Sequence, residues 1–205
     1  INFVPLAQDK SYDAEGLFEY YKTANSPLKH FLHIIEGSPV YPVVMDAKDR
    51  VLSLPPIING EHSRISAQTK NVLIECTCTD ITKGKIVLNT IIAMFSQYSS
   101  TPFSCEAMDV IYPSGPSHDA RFAGKKVVTP DLSKRDAPPV AVDYIQKAIG
   151  LTPQQLPAEK IPPLLRKMML EAELSKDKKT VAVRVPITRP DVMHACDVME
   201  DVAVA

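Results

Sequence analysis

Four carboxylates fall within eleven residues near the end of this chain: Asp191, Asp197, Glu200 and Asp201. The last three stand at i, i+3 and i+4, so a helix would project them from one face. Carboxylates held that close repel one another unless a cation or a basic partner sits among them. An all-oxygen donor set suits magnesium, which keeps several waters and takes only one or two direct carboxylates. The same enrichment also arises at a helix start, where the macrodipole favours acids. A second candidate is Leu54-Pro-Pro-Ile-Ile-Asn-Gly-Glu-His-Ser63, followed twelve residues later by Glu75. In an extended run Glu75, Thr77 and Thr79 share one face, and Ile74, Cys76 and Cys78 the other. A polar line inside a sheet needs partners or a wet pocket. Either Arg64 or Lys70 pairs with Glu75, or the carboxylate serves a pocket.

Other chemistry is argued against. The histidines are His30, His33, His62, His118 and His194, and no two have H-x-x-x-H or H-E-x-x-H spacing, which speaks against a zinc hydrolase. His30 and His33 would share a face if their stretch is helical. No G-x-S-x-G elbow, C-G-x-C-W element or Gly-rich phosphate loop occurs, so nucleophilic catalysis has no visible actor. Cys76, Cys78, Cys105 and Cys196 include one C-x-C without a second pair, a poor zinc pattern. They are expected to be reduced, mostly buried thiols of an intracellular protein.

The elements that must position these groups follow from periodicity and punctuation. A short helix is expected over Asp13–Lys22, started near Ser11. Strands are expected over Val40–Met45 and Val51–Leu54, joined by a turn at Ala47–Arg50, with Pro55–Gly60 a stiff apolar turn. Val72–Thr79 reads as the clearest strand, rich in β-branched and thiol side chains. Asp80 or Thr82 can cap a helix over Lys83–Tyr98. In it Val87, Ile91, Met94, Phe95 and Tyr98 make an apolar stripe widened by Ile86, Leu88 and Ile92, so most of it should be buried. Glu106–Tyr112 reads as a strand closed by Pro113–Pro116. The texture then changes. A strand is expected over Lys125–Thr129, a helix over Val140–Ile149 ended by Gly150, and a helix from Pro162 to about Glu173. A strand is expected over Thr180–Val185, and Thr188–Asp191 should open a last helix. The domain boundary is placed near residues 118–126, giving units 1–122 and 123–205.

Composition narrows the class. With 205 residues and 45% hydrophobic content the chain can bury a real core. Its net charge of -1 gives no global basic field, so any nucleic-acid contact must be local or supplied by a partner. Eighteen prolines against seven glycines suggest stiff turns rather than flexible linkers. No apolar run approaches the roughly 20 residues a membrane span needs, and no basic-then-apolar leader opens the chain. A cytoplasmic location is expected. The chain starts at Ile1 and stops inside a helical pattern, so the functional unit is expected to be larger.

Four stretches resemble the β subunit of phenylalanyl-tRNA synthetase of the archaeal and eukaryotic type. They are His30-Phe-Leu-His-Ile-Ile-Glu36, Ser53-Leu-Pro-Pro-Ile-Ile-Asn-Gly-Glu-His-Ser-Arg-Ile65, Ile74-Glu-Cys-Thr-Cys-Thr-Asp80 and Thr188-Arg-Pro-Asp-Val-Met-His-Ala-Cys-Asp-Val-Met-Glu-Asp-Val-Ala203. The resemblance implies a mixed α/β fold. Residues 1–122 would be an editing domain that hydrolyses tyrosine wrongly esterified to phenylalanine tRNA, and 123–205 a small winged-helix-like domain truncated in its last helix. It implies an α2β2 tetramer whose α subunit holds the ATP-dependent synthetic site, so this chain would not ligate phenylalanine alone. Glu75 matches the position that recognises the tyrosine hydroxyl, and Pro55-Pro56 to Asn59-Gly60 the pocket's backbone wall. Ser63, Thr77, Asp80 and Thr82 are expected to line the site or orient water, and Leu54, His30 and Tyr41 to contact substrate. Asp191, Asp197, Glu200 and Asp201 match a family set of magnesium ligands shared with the α subunit, the last being Glu in bacterial relatives. That site is expected to be empty or weakly occupied without the partner.

The leading expectation is an editing hydrolase working through a positioned water with no covalent intermediate. The competing one is a non-catalytic module that docks the α subunit and tRNA. A free-standing magnesium phosphoesterase would need acids converging from several strands, whereas these sit on one helix.

Overall fold

A computed structural model describes residues 1–24, 26–115 and 120–205, in two compact units, Ile1–Thr77 and Cys78–Ala205. Pro116, His118 and the first part of the expected boundary region lie outside the described residues. Both units mix helix and strand, as expected.

In the first unit, β1 (Asn2–Phe3) pairs antiparallel with β2 (Tyr12–Asp13). Asp13 then caps α1 (Ala14–Thr23), its carboxylate accepting from the Gly16 N–H at 2.7 Å, two residues beyond the expected Ser11 start. Two 3-10 turns, Pro27–His30 and Leu32–Ile34, follow in place of a helix for His30 and His33. The small antiparallel sheet has the order β3 (Val44–Met45), β4 (Val51–Leu54), β5 (Ile58–Asn59). Asp46 closes the turn between β3 and β4 by accepting from the backbone N–H groups of Lys48 and Arg50. Leu17, Phe18 and Tyr21 of α1 pack with Phe3, Leu32, Ile35, Val51, Leu54 and Ile57 into one core.

The segment expected to be the clearest strand, Val72–Thr79, is not one. β-propensity measures fit to a pleated, half-buried surface, and among the described residues no neighbouring strand takes up this segment's backbone groups. Glu75 and Thr77 therefore lie on irregular backbone.

In the second unit α2 (Ile81–Ser96) starts as expected, with Asp80 accepting from the Lys83 N–H at 2.8 Å. Its stripe is only partly covered, against expectation: Val87, Met94, Phe95 and Tyr98 are exposed, while Ile86, Leu88, Ile91 and Ile92 are half-buried. All four cysteines are exposed as well, against expectation. β6 (Met108–Ile111) and β7 (Lys126–Thr129) make an antiparallel pair.

Residues 135–204 form a better-packed body. β8 (Arg135–Ala141) leads into α3 (Val142–Ile149), which ends at Gly150 in the left-handed conformation with φ 81°. α4 (Ile161–Lys167) stops well short of Glu173. Met169 takes φ 66° and turns Leu170 into the core, after which β9 (Glu171–Leu174) pairs with β10 (Thr180–Val185). The sheet order is β8-β10-β9, all antiparallel. The last helix, α5 (Ala195–Val204), begins later than Asp191 and is capped at His194. Ile145, Ile161, Leu165, Val181, Val183, Val192 and Val198 are essentially fully buried here.

Candidate functional site

The first unit contains a cleft of about 340 Å³ lined by Leu6, Pro55, Pro56, Ile57, Ile58, Asn59, Glu75 and Thr77. That volume is at the small end of the usual range for small-molecule sites. Its wall is the turn from β4 into β5, pinned by backbone hydrogen bonds on both sides. The Ile57 N–H donates to the Leu54 carbonyl at 2.8 Å and the Gly60 N–H to the Leu52 carbonyl at 2.7 Å. From the other side the Leu6 N–H donates to the Asn59 carbonyl at 2.8 Å. Two prolines at the bend remove backbone freedom that the wall would otherwise lose on binding. Leu54, with no exposed surface, anchors the turn from beneath.

Gly60 is needed for a steric reason. A Cβ there would stand 2.6 Å from the Val51 carbonyl oxygen, closer than side chains tolerate. Ser63 donates its hydroxyl to the Gly60 carbonyl at 3.3 Å and is otherwise exposed.

Glu75 supplies the cleft's one carboxylate. Its Oε1 accepts from the Ser53 hydroxyl at 2.5 Å. Neither basic partner foreseen for it is used, and Arg64 pairs instead with Glu61 at 3.1 Å. Glu75 as a residue is exposed, so water can reach it, where the sequence suggested a buried acceptor.

The remaining expected residues lie elsewhere. His30 is exposed at the end of its 3-10 turn. Tyr41 packs its ring 5.5 Å from that of Phe18 and lines a separate hollow with Glu15, Glu19, Lys22 and Glu36. Asp80 and Thr82 belong to the second unit, where Asp80 spends its carboxylate on the helix cap. Sequence reasoning missed Ser53, whose signal was a lone hydroxyl in the otherwise apolar run Val51-Leu-Ser-Leu54.

In the second unit Arg189 sits among the acidic residues. Its Nε donates to both oxygens of Asp191 at 3.1 Å, and its Nη2 bridges Asp191 at 2.7 Å and Asp201 at 3.0 Å. Nη1 donates to the Met168 carbonyl and also lies 2.9 Å from Asp201 Oδ2. That last contact is an ion pair without hydrogen-bond alignment, so Oδ2 is buried with no hydrogen bond. The guanidinium beside Asp191 holds its carboxyl below the usual range. Asp197 Oδ2 accepts from the His194 and Met193 N–H groups, each at 2.7 Å, and these bonds lower its pKa too. Only Glu200 keeps its carboxylate out of these contacts. In this arrangement the four acids do not fit a hard cation. An arginine already occupies the position between Asp191 and Asp201, and no group of three potential ligands converges among the described residues. No helix of the described residues is long and apolar enough to cross a membrane.

Two family models match separate parts of the chain, the first of them running across the boundary between the two compact units. Residues 25–100, which include most of the cleft, match the B3/4 domain model, and residues 139–205 match the tRNA synthetase B5 domain model. Over its full length the chain is 48% identical to the phenylalanine–tRNA ligase β subunit of Dictyostelium discoideum and 45% identical to that of Homo sapiens. It is 49% identical to the cytoplasmic β subunit of Arabidopsis thaliana. It spans 31% or 32% of the length of these relatives. All of it superposes on an N-terminal fragment of the phenylalanyl-tRNA synthetase β subunit from Pyrococcus horikoshii. The TM-score is 0.81 at 30% identity, covering 52% of that chain.

Proposed function

We propose that this chain, similar over its full length to phenylalanine–tRNA ligase β subunits, is part of one and that its cleft proofreads, hydrolysing tyrosine wrongly esterified to phenylalanine tRNA. The observation that carries this reading is Glu75, tied to Ser53 at the mouth of a proline-walled cleft of single-side-chain size. Apolar walls alone discriminate poorly against an added hydroxyl, by only about 10²-fold. A carboxylate aimed at the para position does the reverse, because a tyrosine hydroxyl pairs with it while phenylalanine leaves it unpaired.

The chemistry is addition of a water oxygen to the ester carbonyl and departure of the ribose hydroxyl, with free tyrosine as the other product. An aminoacyl ester is already activated, so wall and carboxylate need only hold it where water can attack. Residues 1–122 are proposed as the editing domain and 123–205 as a winged-helix-like domain. The α subunit, phenylalanine tRNA and a cytoplasmic α2β2 tetramer are proposed as the working context. Magnesium and ATP are assigned to that assembly only, since Arg189 would first have to release the acids.

A docking module without hydrolysis is the second reading, favoured by the uncovered apolar residues Met94, Phe95 and Tyr98 of α2 and the turn after it. Incubating preformed tyrosyl-tRNA with the assembled ligase separates the two. Release of tyrosine much faster than release of phenylalanine supports proofreading, and equal slow release leaves docking.

A further inference from the structure

Ser53 is the buried side chain of the first unit that packing does not explain. It is 2% exposed, lies on the middle strand of the sheet, and has apolar neighbours Val51 and Leu54 that are equally buried. Its register is fixed on both sides, opposite Val44 of β3 and Asn59 of β5. The hydroxyl is thus carried by one of the best-fixed backbone positions near the cleft. Glu75 is in the opposite situation: its backbone belongs to no strand or helix and the residue is exposed. A free glutamate side chain samples several rotamers, and holding it in one has an entropic cost. A buried hydroxyl donating to Oε1 at 2.5 Å supplies that hold.

We propose that Ser53 is a positioning residue for specificity: by engaging Oε1 of Glu75, it leaves Oε2 as the oxygen presented to a hydrogen-bond donor on the far end of a bound aromatic ring. A serine hydroxyl has one proton to give. With Oε1 already accepting that proton, Oε2 is the carboxylate oxygen with both lone pairs free for a phenol. The wall residue Asn59 is cross-strand from Ser53, so the wall and the acceptor take their positions from the same residue of β4. This inference rests on the proofreading reading and concerns selectivity, not the attack of water.

The test uses the assembled ligase with its full-length β subunit, and preformed tyrosyl- and phenylalanyl-tRNA. Five proteins are compared: unchanged enzyme, Ser53→Ala, Ser53→Thr, Glu75→Ala, and the Ser53→Ala/Glu75→Ala double variant that closes the cycle. Losing one charge-assisted hydrogen bond should lower the ratio of tyrosyl to phenylalanyl cleavage about tenfold in Ser53→Ala. Ser53→Thr, which keeps the hydroxyl, should recover most of that ratio. The double variant should be no less selective than Glu75→Ala alone, since the two residues act as one unit. A Ser53→Ala enzyme that keeps full selectivity while Glu75→Ala loses it overturns the role of Ser53 and leaves proofreading standing. Equal loss on both esters, or additive losses in the double variant, also overturns it. An unchanged enzyme that does not prefer tyrosyl-tRNA removes the proofreading reading itself.

Discussion

The cleft and the body formed by residues 135–204 use side chains in opposite ways. In the latter, three helices close over a three-stranded sheet, and fully buried Ile145, Ile161, Leu165, Val181 and Val198 leave little room for anything but packing. The cleft has a three-stranded sheet too, but two of its strands are only two residues long. Its wall is held by prolines and backbone hydrogen bonds, and its one carboxylate is held by a single hydroxyl. Apolar burial makes the 135–204 body stable, whereas directional bonds shape the cleft. The proposed recognition site thus lies where few apolar contacts hold the backbone, as low local stability at binding sites leads one to expect.

The contrast can be broken most forcefully at Leu165. Truncation to Ala should cost about 2–5 kcal/mol through lost burial and the cavity left behind. Denaturant unfolding would measure it, with amide resonances of Ser53 and Glu75 as reporters of the cleft. Disturbance of those resonances under native conditions would show that the two regions are not independent. Next is Arg189→Met, which strands the buried Asp201 carboxylate and should cost about 1–3 kcal/mol. Adding Asp201→Leu should recover part of it, and a double variant as unstable as the single one would refute the pairing. At Glu75 the main effect moves to selectivity: Glu75→Ala leaves the buried Ser53 hydroxyl without its acceptor and should cost about 1 kcal/mol of stability. Its selectivity for tyrosyl ester should fall about tenfold, one hydrogen bond's worth. Thermal melts together with paired deacylation rates check both halves.

The smallest effect concerns acid. Backbone and side-chain bonds from Arg50 pull Asp46 from its ordinary 3.8 down to about 2. A depressed carboxyl stabilises the fold above its unfolded value, and that contribution is lost as pH falls toward the folded one. The β3–β4 hairpin should therefore weaken between about pH 4 and pH 2. Asp46→Asn should flatten the profile in that window, and identical acid melts for the two proteins would exclude the turn as the cause.

Much of the 135–204 body was legible in sequence, because local signals and burial agree there. Gly150 ended its helix, and Thr180–Val185 alternates as a half-buried strand should. Arg135–Ala141 escaped notice because Pro138 and Pro139 disguise an edge strand. In the acidic cluster the spacing of the carboxylates was plain, but the arginine two residues before Asp191 was not weighed as their counter-ion. Around the cleft, the proline turn was readable from composition alone. The state of Val72–Thr79 was not, since a strand exists only where a neighbour receives its hydrogen bonds. The lone hydroxyl of Ser53 in an apolar run marks the position in sequence, but its partner Glu75 is visible only in the fold.

The solvent access of Glu75 carries its own consequence. An acceptor already bathed in solvent loses nothing when a ring without a hydroxyl drifts past, so the first encounter should treat both amino acids alike. Under the proposed proofreading, discrimination should begin only when the ring has displaced the last hydration from the carboxylate. Preference should then surface in the turnover of a seated ester rather than in its capture, making the cleft a judge of occupants instead of a doorkeeper.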